Sequence, residues 1–321
     1  YIYSISKVKT SAAAMQMYER GKFLLDEPIS RYIPAFHDMT VREESGEIRP
    51  MRGEIRIRDL FCMCSGLPYD MNLPGIRKLI AEKEGRFTTR EFIEAIAASP
   101  ACCDPGTDFN YGFSMDVIAY LVEVLSDMPF GDYMKKYIFE PCGMERSTFD
   151  LRAVEDKMIP LYDYSDADGC AHWHRSQKNP LIPSYEFHSG GAGVISCVED
   201  SAKFADAMAC NGVAATGKRI LTPASIRLIH QNQLNAAQME QMNLPGYGYG
   251  CGVRTFVDPA RGGGLGTVGE FGWSGAAGCY IMIDPERHIG VFYGQHMFNN
   301  KEHFVHRRIR NLVYTGLDMD E

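Results

Sequence analysis

The clearest helical pattern in the chain lies at 114–126. Val117, Ile118, Leu121, Val122 and Leu125 fall on one face at a period of 3.6 residues. A shorter helix is expected over 89–98, starting near Thr88 or Thr89 and ending before Pro100. Another is expected over 199–209, closed by Asn211 and Gly212. Thr222 followed by Pro223 reads as an N-cap and first helical residue, opening a helix to about 232. Residues 4–20 also read as helix. Ala12, Ala13, Ala14, Met15 and Met17 are good or tolerable formers, and Gly21 stands where a C-terminal cap belongs. Residues 22–87 alternate short helical patches with turn signals, and 150–190 is loop-rich. From 247 the pattern changes. Segments 247–257, 266–273, 278–284 and 289–297 are short and β-rich, with a hairpin turn expected at 284–287. A last helix is expected over 301–316. Helices followed by an antiparallel meander predict an α/β (α+β) architecture with a mostly helical middle region.

Composition narrows the function classes. The chain has 321 residues, 45% of them hydrophobic, enough for a large core. The formal net charge of −8 argues against a nucleic-acid partner. The one basic cluster, Lys301 to Arg310, is read as the solvated side of the last helix. Ten cysteines at irregular spacing form neither a disulfide framework nor a paired C-x-x-C zinc pattern. Most of them are expected to be small buried hydrophobes in a reducing, cytoplasmic compartment. A periplasmic or secreted location stays open, because the chain opens at Tyr1 without an initiator Met. No apolar run reaches the ~18 residues that span a bilayer. No metal and no cofactor is expected. His172 and His174 share a loop with no third ligand, and Gly262 to Gly266 lacks the strand-to-helix context of a phosphate loop. That glycine run is read as a flexible turn, and His188 as a residue near a glycine-rich turn with no catalytic part.

The chemistry is expected at Ser4 and Lys7, at the start of the first helix. Residues at i and i+3 share a helical face, so hydroxyl and amine can meet. A helix N-terminus also presents unpaired N–H groups that suit a developing oxyanion. A nearby lysine or phenol can then take the serine proton. An S-x-x-K tetrapeptide alone is a weak signal. The absence of G-x-S-x-G argues against an α/β-hydrolase.

Several further blocks follow Ser4 in order. They are Glu19 to Lys22, Leu25 to Pro34, Ile57 to Leu60, Cys64 to Pro68, Pro105-Gly106, Asn110 to Ser114, His188 to Gly193 and Phe271 to Ala276. Together with Tyr3 to Lys7 they resemble the β-lactamase-like serine hydrolase superfamily, over nearly the whole chain. The resemblance is to class C β-lactamases, family VIII carboxylesterases and penicillin-binding-protein relatives. It implies Ser4 as nucleophile, Lys7 and Tyr111 as general base, and the backbone N–H groups of Ser4 and Ala276 as oxyanion hole. It implies a pocket formed by Phe113, Trp273, Ser274 and Gly275. Two departures matter. Phe113 stands where β-lactamases carry Asn, and Trp273 where they carry the Lys of Lys-Thr-Gly. Both argue against antibiotic recognition.

The resemblance also implies the β-lactamase/transpeptidase-like fold, an antiparallel sheet flanked by helices with a mostly helical insertion. The expected division is 1–15 with 186–321 as the α/β part and 16–185 as the helical region. Relatives carry two sheet strands before the S-x-x-K helix, whereas three residues precede Ser4 here. Those strands are therefore expected from a further N-terminal segment or a neighbour. The expected activity is hydrolysis of a small ester or related acyl substrate through an acyl-enzyme. A β-lactamase or D-alanyl-D-alanine peptidase, an acyltransferase and a non-catalytic binding relative are the alternatives. The only expected partner is a small-molecule acyl substrate, and the oligomeric state is left open.

Overall fold

The computed structural model describes residues 1–318. Twelve helices and ten strands are distinguished among them. The helices are α1 (Ser6–Glu19), α2 (Ile57–Phe61), α3 (Pro74–Lys83), α4 (Thr89–Ala97), α5 (Ser114–Ser126), α6 (Phe130–Met134), α7 (Glu140–Cys142), α8 (Val198–Ala209), α9 (Pro223–Ile229), α10 (Ala236–Met242), α11 (Pro259–Gly262) and α12 (Glu302–Asp318). The strands are β1 (Thr40–Arg42), β2 (Ile48–Pro50), β3 (Tyr162–Ser165), β4 (Cys170–Trp173), β5 (Tyr247–Tyr249), β6 (Arg254–Phe256), β7 (Phe271–Ser274), β8 (Tyr280–Asp284), β9 (Ile289–Tyr293) and β10 (Met297–Phe298).

β5 to β9 form one antiparallel sheet in sequence order. β9 is bonded on one side only, to β8. Side chains alternate across the sheet, so Ile281 and Ile283 enter the main core while Tyr280 and Met282 meet Tyr314 of α12 on the other face. The turn after β8 is the expected hairpin: Asp284 Oδ1 accepts from the N–H groups of Glu286 and Arg287. The main apolar core runs without a break from Ile2 through the helical region to Ile283.

α1 lies inside that core, against α5, α6, α9 and β7. Every residue from Ser6 to Met17 is buried. Such a helix shows no polar stripe, because no side of it meets water. It closes as the sequence suggests: Gly21 takes φ +66° and the Lys22 N–H reaches back to the Met17 carbonyl. α4 opens with a reciprocal cap between Thr88 and Glu91.

The structure departs from the sequence reading in places. The 247–257 segment is two strands joined by a tight turn, with Gly250 N–H bonded to the Val253 carbonyl. The helix from Thr222 stops at Ile229. The β1–β2 hairpin, the β3–β4 hairpin inside the loop-rich stretch and α10 were not expected. β10 pairs in parallel with β3, making a small second sheet beside the end of β8. The basic cluster on α12 is only partly a solvated face: Arg307 and Arg308 are exposed, but His306 and Arg310 are buried. The glycine run from 262 starts as the end of α11 rather than as a free turn. Among the described residues no helix is long and apolar enough to cross a membrane.

Candidate active site

A buried helix carrying polar side chains must find partners for them. For three of its polar side chains α1 finds such partners in the glycine-rich segment after His188. Lys7 Nζ donates to the Gly191 carbonyl at 2.8 Å, Thr10 Oγ1 to the Gly190 carbonyl at 2.8 Å, and the Val194 N–H to Ser6 Oγ at 3.0 Å. Asp116 of α5 ties the same segment from the other side. It accepts from Ser189 Oγ at 2.5 Å and from the Gly191 N–H at 3.1 Å. Burial pushes the Asp116 carboxyl up, while the Ser189 hydroxyl and the Lys7 charge pull it back. Asp116 thus anchors the Gly191 segment that receives the Lys7 amine.

Ser4 sits in a 3-10 turn (Tyr3–Ile5) that leads into α1, one turn earlier than the α-helix proper. Tyr3 holds φ at +46°, a strained value for a bulky residue, directly before it. Ser4 is 8% exposed, enough to be reached from the cleft, and Lys7 is fully covered. Lys7 Nζ lies 3.1 Å from Ser4 Oγ, so the i, i+3 pairing expected from sequence is present. Among the described hydrogen bonds, neither the Ser4 nor the Ala276 N–H has a backbone acceptor. Gly275 lets the end of β7 approach the segment that carries Ser4. A Cβ there would fall 2.4 Å from the Ile2 carbonyl, so only glycine lets the end of β7 close on the Ser4 turn.

Tyr111 is held just before α5, in a loop packed on the 64–68 loop. Gly112 makes that contact possible, since a Cβ there would lie 1.8 Å from the Leu67 carbonyl. The Lys7 amine faces the Tyr111 ring at 4.6 Å from its centroid. The Tyr111 oxygen accepts a hydrogen bond from Trp273 Nε1 at 2.9 Å, and the two rings stack with centroids 5.4 Å apart. The expected serine, lysine and tyrosine therefore converge, but the tyrosine hydroxyl is bonded to the indole rather than to Lys7 or Ser4.

Other expected pocket residues separate. Trp273 stacks on Tyr111, and the fully buried Tyr249 meets it edge-on from behind. Phe113 is 2% exposed and packs edge-on to Tyr69 and Phe92, behind the cleft. Ser274 follows Trp273 on β7, and its hydroxyl faces the Glu302 carboxylate at the start of α12.

Tyr69 was not anticipated. Its ring lies 5.2 Å under Lys7 Nζ and edge-on to Tyr111, and its hydroxyl faces Ser4. That hydroxyl is buried without a hydrogen bond of proper geometry, and burial holds it well above the usual phenol range. Only its place just after Ser65 to Pro68 could have pointed to it. His188 stays outside the site. Its Nδ1 accepts from the Gly131 N–H at 3.0 Å, and burial lowers its basicity. His172 and His174 pair with Asp168 and Asp163 respectively. Among the described residues no group of three or more His, Cys, Asp or Glu could hold a metal ion.

The chain is similar to the following known proteins. Protein Rv1367c of Mycobacterium tuberculosis is 27% identical over 306 residues, covering 91% of this chain and 76% of its own length. Monacolin J acid methylbutanoyltransferase of Aspergillus terreus is 29% identical over 248 residues, covering 75% of this chain and 58% of that enzyme. Among solved structures, EstCE1, described as a hydrolase with promiscuous acyltransferase activity, superposes with a TM-score of 0.79. It shares 22% identity over 98% of this chain and 84% of its own, a likeness of fold. The Beta-lactamase family model matches residues 1–314, and the chain belongs to that family.

Proposed function

We propose that the protein is a serine acyl-transferring enzyme that hydrolyses small esters through an acyl-enzyme on Ser4. The observation that carries this reading is the contact of 3.1 Å between Lys7 Nζ and Ser4 Oγ, enclosed by two tyrosines. Ser4 Oγ attacks the acyl carbon and its proton passes to the Lys7–Tyr111 pair. The oxyanion that forms is met by the N–H groups of Ser4 and Ala276. The leaving alcohol takes the proton back from the same pair as the carbon–oxygen bond breaks. Water then attacks the acyl-enzyme, and Ser4 recovers its proton. The indole N–H of Trp273 stabilises negative charge on the Tyr111 oxygen during both proton transfers.

The ester preference rests on the cleft wall. Trp273 presents an aromatic face backed by the buried Tyr249, and the residue at 273 offers no cation to a β-lactam carboxylate. Losing such a charge-assisted bond costs about 1.5–3 kcal/mol. Short-chain p-nitrophenyl esters are therefore expected to exceed penicillins and a chromogenic cephalosporin in kcat/KM. A cephalosporin turned over faster than every ester would replace this reading with a β-lactamase. Transfer of the acyl group to an alcohol uses the same intermediate, and the likeness to a methylbutanoyltransferase supports it as a second reading. Added alcohols that yield new ester at the expense of acid would establish it.

Labelling with a fluorophosphonate tests the nucleophile. Digestion should place the label on the peptide containing Ser4. Label elsewhere, or none on folded protein, overturns the assignment.

A further inference from the structure

The arginines near α12 have more to them than a solvated face. A hollow of about 380 Å³ lies along the end of β7, with Trp273 and Ser274 in its wall. Arg254, Arg307, Arg310, His303 and His306 also line it, against a single carboxylate, Glu302. Arg310 is partly engaged inside: Nη1 donates to the Tyr247 hydroxyl and lies 3.9 Å from Glu270. Glu270 is itself pushed up to about 7 by burial, so it offsets that guanidinium incompletely at neutral pH. His306 is spent on the Gly278 carbonyl, and burial drives it down to about 4, leaving it uncharged. Glu302 is turned to Ser274.

Arg254 and Arg307 remain, and Arg254 feels the Glu270 and Glu302 charges from beyond ion-pair distance. Among the described residues neither enters an ion pair within 4.0 Å. The Arg254 guanidinium is clamped over the rings of Tyr280 at 4.9 Å and Tyr247 at 5.4 Å, which fixes its place. Arg254 Nε, Arg310 Nε and Arg310 Nη2 are buried with no acceptor. Buried guanidinium donors left open are costly and ask for an anion. Arg307 stands exposed at the rim, where it can draw that anion in.

We infer that this hollow is an anion subsite for the enzyme's substrate, taking a carboxylate or phosphate on an arm that passes Trp273. This rests on the acyl-enzyme reading for its use, but the binding itself does not. The preferred substrate is then an ester with an anionic group remote from the scissile bond, and not a plain aliphatic ester.

The first test is calorimetry on the Ser4→Ala protein, titrated separately with inorganic phosphate and with succinate. Saturable binding of either, weakened about tenfold by Arg307→Gln and further by Arg254→Gln, supports the subsite. Phosphate binding alone assigns a phosphorylated arm, and succinate binding alone a carboxylated one. No binding of either overturns the proposal, even if Ser4 proves to be the nucleophile. The second test is kinetic, on active protein. The ratio of kcat/KM for mono-p-nitrophenyl adipate to that for its methyl ester should fall about tenfold in Arg307→Gln and invert in Arg307→Glu. Arg307 is exposed, so these variants should fold even where Arg254→Gln does not. An unchanged ratio removes the rim arginine from recognition and overturns the carboxylate form of the proposal. Failure to hydrolyse any ester, with anion binding intact, would instead break the hydrolase reading alone.

Discussion

Lys7 and Lys9 stand two residues apart on α1, about 200° around the helix from each other, and both are fully covered. Their surroundings differ completely. Lys7 has Ser4 Oγ and the Gly191 carbonyl as partners, two tyrosine faces beside it and Asp116 behind the segment it binds. Lys9 Nζ has no acceptor at all and rests 5.0 Å over the Phe204 ring. Desolvation lowers its pKa to about 7, with Cys279, Cys142 and Asp200 giving only weak opposition. One face of α1 is arranged around an amine, and the other merely encloses one. Burial alone therefore says nothing about function; what separates the two lysines is whether the fold answers the charge.

The sharpest break in this comparison is between activity and stability. Ser4→Ala and Lys7→Met should each lower kcat about 10³-fold or more while leaving the fold intact, as expected when members of one catalytic unit are removed. Tyr111→Phe should cost about 10²-fold or more. Lys9→Met should do none of this. Measured with one p-nitrophenyl ester, a Lys9→Met protein as slow as Lys7→Met would erase the distinction between the two faces.

Lys9→Met should act on stability instead. A fall from 10.5 to about 7 corresponds to on the order of 4 kcal/mol for keeping the ammonium in the folded core. The unfolded chain holds this proton up to about 10.5, the folded chain only to about 7. The cost is therefore present in full below pH 7 and is relieved as pH rises from 7 toward 10.5. Wild-type stability should gain over that window, and Lys9→Met should remove the gain while raising stability most at pH 6. Urea midpoints at pH 6 and pH 9.5 measure both effects. A variant less stable than wild type at pH 6 would show that Lys9 has a partner in solution.

The same contrast explains what could be read from sequence. α4 declares itself because one face meets solvent and the other the core, whereas α5, buried all round from Ser114 to Val122, was found through its apolar residues at helical spacing. α1 has no such stripe, and it was found through alanine content, Gly21 and the Ser4–Lys7 spacing. In the β1–β2 hairpin only Val41 is buried, and β3 is half-buried throughout while β4 is exposed, so no sustained alternation marks either hairpin. α10 carries a reciprocal cap between Asn235 and Gln238, a signal present in the sequence and overlooked. Ser4, Lys7 and Tyr111 were legible because they fall in ordered blocks. Tyr69 and Asp116 were not, because they come to Lys7 and its partner segment through tertiary packing over long separations, and Gly191 fell in a block without a role being assigned to it. Phe113 and Ser274 show the limit from the other side: motif position placed them near the cleft, but their side chains leave it.

The smallest expected effect concerns how Trp273 works, and it refines what distinguishes the Lys7 face. The indole both stacks on Tyr111 and donates to its oxygen. Trp273→Phe keeps an aromatic surface and removes the donor. Loss of one hydrogen bond to a group that carries charge during reaction is worth about 1.5–3 kcal/mol at most, so kcat should fall roughly tenfold with KM little changed. Packing alone could also slow the enzyme, and a double-mutant cycle separates the two explanations. If Trp273 acts through the Tyr111 oxygen, Trp273→Phe should cost nothing further in a Tyr111→Phe background, because the acceptor is already gone. If it acts by shaping the cleft, the tenfold loss should appear unchanged in both backgrounds. Equal losses would make Trp273 a wall and leave the Tyr111 oxygen to be governed by Lys7 and Tyr69.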